Sequence, residues 1–90
     1  MTSLKHWTVQ IDIDEHDDGG WTHAKALLEG AGPDRLRADG QAQRHPADVP
    51  QSQVGDQLAV ARALSALASQ MESAALWQLR PSADLRGPVR

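Results

Sequence analysis

The chain has 90 residues, a formal net charge of −3, 40% hydrophobic residues, three tryptophans and no Phe, Tyr or Cys. That length holds one domain with a modest core, which gains from self-association, and the missing cysteines exclude disulfides and thiolate metal sites. No segment reaches the ~18 apolar residues of a membrane span, and the N-terminus lacks the apolar run and cleavage site of a secretory signal, so the expected location is the cytoplasm.

Residues 7–14 alternate, with Trp7, Val9, Ile11 and Ile13 on one side and Thr8, Gln10, Asp12 and Asp14 on the other. Period two with β-branched side chains predicts a half-buried strand. Asp17, Asp18, Gly19 and Gly20 then form a turn signal, because glycine accepts positive φ at little steric cost. Residues 21–29 predict a second strand, with Thr22, Ala24, Ala26 and Leu28 sharing a face. The two strands form an antiparallel hairpin, followed by a turn at residues 30–33.

Residues 34–43 alternate again, with Leu36, Ala38, Gly40 and Ala42 inward and Arg35, Arg37, Asp39, Gln41 and Gln43 outward. Ala and Gly are poor strand formers, but a small-residue surface lets a helix approach a sheet closely. Pro46 and Pro50 make residues 45–50 an irregular crossing. A long helix follows, with Asp56 expected as its N-cap and a stop near Arg80 and Pro81. Val60, Leu64, Leu67, Met71 and Ala75 form an apolar stripe, widened by Ala61 and Ala68 and expected to face the sheet. At 1.5 Å per residue such a helix spans roughly 35 Å, enough to lie along strands of about 30 Å. The predicted fold is α+β: a three-stranded antiparallel sheet with one long C-terminal helix packed on it, a single domain over residues 1–80 and a flexible tail over 81–90.

His6 to Val9, Ile11 to His16, Thr22 to Leu28, Pro46 to Asp48 and Gly55 to Ser65, in that order and spacing, resemble a family of small actinobacterial proteins of unknown function. That family includes dormancy-regulon proteins induced by hypoxia and nitric oxide, and the likeness covers roughly residues 6–71. The resemblance implies a βββα fold related to the double-stranded-RNA-binding domain and a homodimer similar to ribosome hibernation-promoting factors. It carries over no catalytic residue. This chain departs from the family pattern at Arg37, Asp39 and Gln41, where members are apolar, and after Met71.

Several clusters have ordinary readings as well as functional ones. Asp14, His16, Asp18 and Gly19 fall at calcium-loop positions, but Lys25 stands where a bidentate Glu is needed, so an acidic turn is the better reading. Asp12, Asp14 and His16 share a strand face and could hold zinc together with His23, but one His per strand with nearby acids is common by chance and an exposed polar face is the better reading. His6, His16, His23 and His45 lack a nearby nucleophile pattern, and Ser65 and Ser69 lie on the helix. No phosphate loop precedes a helix. These readings predict a non-enzyme with no cofactor, no metal and no small-molecule substrate.

Lys25, Arg35, Arg37 and Arg44 are the candidate phosphate contacts. The helix surface away from its stripe, chiefly Ala59, Ala63, Ala66 and Gln70, is the candidate dimer interface. The functional expectation is a stress- or dormancy-associated protein that modulates translation at the ribosome. The alternative is a homodimeric protein-interaction module with no nucleic-acid role.

Overall fold

The computed structural model describes residues 2–16, 18–30 and 35–44 and the helix over 52–86, with helix side chains over 53–79. The elements are β1 (Thr8–His16), a short 3-10 turn (Asp18–Gly20), β2 (Trp21–Glu29), β3 (Leu36–Gln43) and α1 (Ser52–Arg86). The strands form one antiparallel sheet in the order β1-β2-β3. This is the predicted α+β arrangement. The predicted crossing at residues 45–50 and most of the turn at 30–33 lie outside the described residues.

The hairpin turn works because Gly19 and Gly20 take φ of 78° and 67°, the left-handed region that side chains disfavour. Gln43 Nε2 donates to the Gly19 carbonyl at 3.2 Å and Arg44 N–H to the Gly20 carbonyl at 3.0 Å, which ties the end of β3 to the turn. Register then sets the faces. Ile11 sits opposite Ala26, and Ala26 opposite Ala38; Ile13 sits opposite Ala24, and Ala24 opposite Gly40. Paired residues point the same way, so these rows form the inner surface under α1.

The inner surface is built almost entirely from small residues. Ala24, Ala26, Ala38 and Ala42 are buried with Ala59, Ala63, Leu28 and Leu67. A Cβ added at Gly40 would fall on the backbone of Ala59 and Ala63, so this glycine is where helix and sheet meet most closely. The contact explains a difference from the predicted helix face. Ala59 and Ala63, expected on an outward dimer surface, are fully buried against the sheet. Ala66 is partly buried beside them and Gln70 is exposed. Leu64 is 42% exposed, and Ala61, Ala68 and Ala75 also lie outside the core. Of the predicted stripe, Leu67 is buried and Val60 and Met71 are partly buried against the core, so the centre of the packed face is shifted by roughly 80° toward Ala59 and Ala63, at about 100° of rotation per residue. The reason is steric: an Ala/Gly sheet surface admits the helix closest where the helix too is small, and dispersion contact rises steeply with proximity. Each buried methyl contributes only about 0.8 kcal/mol, so such a core is thin.

Both helix ends lie beyond their expected positions. The helix begins at Ser52, which puts Asp56 in its second turn rather than at the cap. There Asp56 is half-buried, and its Oδ1 is enclosed without a hydrogen-bond partner. As an N-cap, its loss to alanine would cost about 1 kcal/mol. Inside the helix, alanine instead recovers about 0.7 kcal/mol of propensity and removes an unsatisfied acceptor. Asp56→Ala is therefore expected to leave the urea midpoint unchanged or raised; a drop equivalent to a lost cap would restore the capping role. At the other end Pro81 withdraws one hydrogen-bond donor, and the helix carries on through it to Arg86. Residues 81–86 thus continue the helix instead of forming a tail, and 87–90 lie outside the described residues.

The helix lies over β3 and β2 and barely reaches β1. Of the apolar row predicted to be buried on β1, only Ile11 is partly covered, while Trp7, Val9 and Ile13 are 53%, 37% and 41% exposed. Among the described residues, no helix is long and apolar enough to cross a membrane.

Candidate functional site

The face of the sheet away from α1 carries the polar residues in cross-strand rows. One row is Asp12, Lys25, Asp39; the next is Asp14, His23, Gln41; a third is Gln10, Leu27, Arg37. Lys25, a candidate phosphate contact, therefore stands between two carboxylates one strand away on each side. At such spacing opposite charges attract and the cation is partly neutralised. His23 Nε2 lies 3.1 Å from Asp39 Oδ2, an ion pair when the imidazole is protonated and a hydrogen bond when it is neutral.

The remaining candidates gather along one edge. β3 is the outer strand of the sheet. Arg37 lies on its polar face, Arg35 stands just before its first residue and Arg44 just after its last, and all three are exposed. The side chain of Arg44 crosses Gly20, where an added Cβ would sit 3.2 Å from Arg44 Cβ. A fourth arginine joins them from the helix: Arg62 Nη1 donates to the Gln41 carbonyl at 2.7 Å. Arg62 is not among the residues that the sequence singles out as phosphate contacts. The available signal was its place between Ala59 and Ala63, the residues that seat the helix on β3. Four arginines are thus distributed along β3 over about 30 Å, at 3.3 Å per strand residue, with Arg37 on the polar face and Arg62 on the helix side. The opposite strand is acidic, carrying Asp12, Asp14 and Glu15. Positive charge thus concentrates toward β3 and negative charge toward β1, although β3 also carries Asp39 between Arg37 and Arg44.

Near the hairpin a shallow hollow is lined by His16, Asp18, Trp21, Thr22, His23 and Gln41. Among the described lining residues, Thr22 carries the only hydroxyl. That side chain is buried on the inner face, where a Cβ added at Gly55 would lie 3.0 Å from Thr22 Oγ1. Successive strand residues point to opposite faces, so His23 is turned away from it and cannot serve as its base. The residues considered for calcium or zinc do not converge: among the described residues no group of three or more His, Asp or Glu is placed to hold a metal ion.

A family model described as Rv2632c-like matches residues 5–82. The chain belongs to the Rv2632c-like family. The match passes Met71, where the sequence likeness was expected to end. The uncharacterized protein Rv2632c of Mycobacterium tuberculosis is 49% identical over 75 residues, covering 79% of this chain and 77% of that protein. The uncharacterized protein Mb1767 of Mycobacterium bovis is 48% identical over 68 residues, covering 76% of this chain and 69% of its own length. The crystal structure of Rv2632c superposes with a TM-score of 0.74 at 40% identity, covering 97% of this chain and 98% of that one. The Rv2632c-like fold is thus a βββα unit.

Proposed function

We propose that this protein acts by binding rather than catalysis, as a cytoplasmic stress- or dormancy-associated factor that associates with the ribosome in the manner of hibernation-promoting factors. The observation that carries this reading is the row Arg35, Arg37, Arg44 and Arg62 along β3, set apart from the carboxylates of β1. Guanidinium groups suit phosphate oxygens, to which they bind in bidentate fashion. Lys25, between Asp12 and Asp39, is a weaker contact in this reading. The supporting experiment is a sucrose-gradient profile of starved or oxygen-limited cells at low salt, with the protein expected in ribosomal fractions. Its absence from those fractions at low salt removes the reading.

A second reading is a homodimeric protein-interaction module that does not meet RNA. It is favoured by the apolar row left open on β1. This reading predicts self-association that is indifferent to salt and no affinity for ribosomes.

A further inference from the structure

Trp21 is used neither by the core nor by the arginines of β3. It stands on the polar face of the sheet and is 40% exposed. The indole is nonetheless seated: a Cβ added at Gly19 would lie 3.2 Å from its Cδ1 and 3.4 Å from its Nε1, so its pyrrole edge leans on the turn. Gln43, paired with Trp21 across the sheet, ties that turn down through the Gly19 carbonyl. His23 is the next residue of β2 on the same face, and its contact with Asp39 holds it toward β3. The two backbone positions are about 7 Å apart, at 3.4 Å per residue. A flat ring between two walls needs about 3.5 Å from each.

The space beside Trp21 is the open hollow near the hairpin, with a volume of about 530 Å³. Small-molecule sites span about 300–1,000 Å³. The Asp18 carboxylate supplies hydrogen-bond acceptors at its rim, and the Gln41 amide both donates and accepts. Among the described residues, the side chains of His16 and Asp18 have no hydrogen-bond partner. Asp14, opposite His23, and Asp39, in contact with it, border the hollow and disfavour an anion inside it. The chemistry that fits is a flat, uncharged ring system with N–H groups on its edge.

We infer that this hollow binds a guanine base, stacked on Trp21 with its Watson–Crick edge toward Asp18. Among the four RNA bases, guanine is the one whose Watson–Crick edge carries two adjacent N–H donors, the pattern that the two oxygens of a carboxylate accept. Adenine sets an acceptor beside its amino group and mismatches Asp18. The phosphate stays outside the hollow, on the side where Arg44 crosses Gly20, the residue before Trp21. The same chemistry is presented by a free guanine nucleotide and by an unpaired guanosine in an RNA strand, whose bases are recognised by stacking and edge contacts. This assignment goes beyond the ribosome reading and stands without it.

The test uses the full chain, labelled with nitrogen-15, and follows the Trp21 indole N–H and backbone amides by NMR during titration with GMP, AMP and a single-stranded pentanucleotide carrying one central guanosine among uridines. GMP is expected to bind at least tenfold tighter than AMP. Trp21→Ala is expected to lose at least tenfold in GMP affinity, within the roughly 5- to 150-fold that stacking on one aromatic side chain contributes. Asp18→Asn, whose amide matches both purine edges, is expected to lose the preference for GMP over AMP. Trp7→Ala, at the far end of the hairpin, is expected to bind as wild type does. Far-UV circular dichroism checks that each variant keeps its fold. Saturation by GMP supports the site with a free nucleotide as its source; saturation by the pentanucleotide alone supports it with a strand as its source. No response to any of the three at millimolar concentration overturns the site. So does a Trp21→Ala protein that binds as wild type does, and equal affinity for GMP and AMP overturns the assignment to guanine.

Discussion

Gly40→Val is expected to lose more than half of the folding stability, at a cost of about 3 kcal/mol or more. Overpacking a core usually costs about 1–3 kcal/mol because a neighbouring side chain can move aside. Here the atoms in the way are the backbone of Ala59 and Ala63, held by the helix itself. The helix must lift from β3, and doing so separates every buried alanine of the sheet from its partner. A small domain has on the order of 5 kcal/mol in total, so the loss is a large share of it. Strand propensity alone predicts the opposite sign, since valine is a far better strand former than glycine. Urea unfolding followed by circular dichroism separates the two. A Gly40→Val protein with a wild-type midpoint would mean that the helix does not sit on this residue.

The second large effect concerns salt. If Arg35, Arg37, Arg44 and Arg62 each neutralise one phosphate, raising salt from about 50 to about 200 mM should weaken ribosome association roughly 50- to 150-fold. Replacing Arg35, Arg37 and Arg44 together by alanine should remove most of that dependence and about two orders of magnitude of affinity at low salt. Arg62 is kept because its bond to the Gln41 carbonyl also holds the helix to β3. Lys25→Ala is expected to change affinity by a few-fold at most, since Asp12 and Asp39 flank it. Cosedimentation with purified ribosomes across a salt series measures all three. Equal losses for Lys25→Ala and the arginine triple would place the contact on the sheet face instead of its edge.

Much of the fold was legible from short-range pattern. Alternation at Trp7 to Asp14 and at Leu36 to Ala42 located two strands, and paired glycines located the hairpin. The small inner residues of β3 foretold a close helix. The candidate surfaces were less legible, because each depends on where the helix comes to rest. Of its large apolar stripe, Val60, Leu67 and Met71 do pack on the core, but the Ala/Gly surface of the sheet drew the seating round toward the small residues. That choice buried Ala59 and Ala63, left Leu64 outside and moved the helix off β1. The same seating brought Arg62 to the β3 edge, a neighbour from which it is separated by 21 positions in sequence.

The sequence by itself determined the βββα order, the inner and outer residues of each strand and the family. The strand and helix order and the faces follow from periodicity and turn chemistry, which act over a few residues, and the family from the resemblance of motifs in their order and spacing. Only the tertiary structure decided which face of α1 is packed, that Asp56 is enclosed rather than capping, that β1 keeps its apolar row open and that four arginines share one edge. These depend on how closely two backbones can approach, which is set by side-chain volume summed across both surfaces and has no signature in either segment alone.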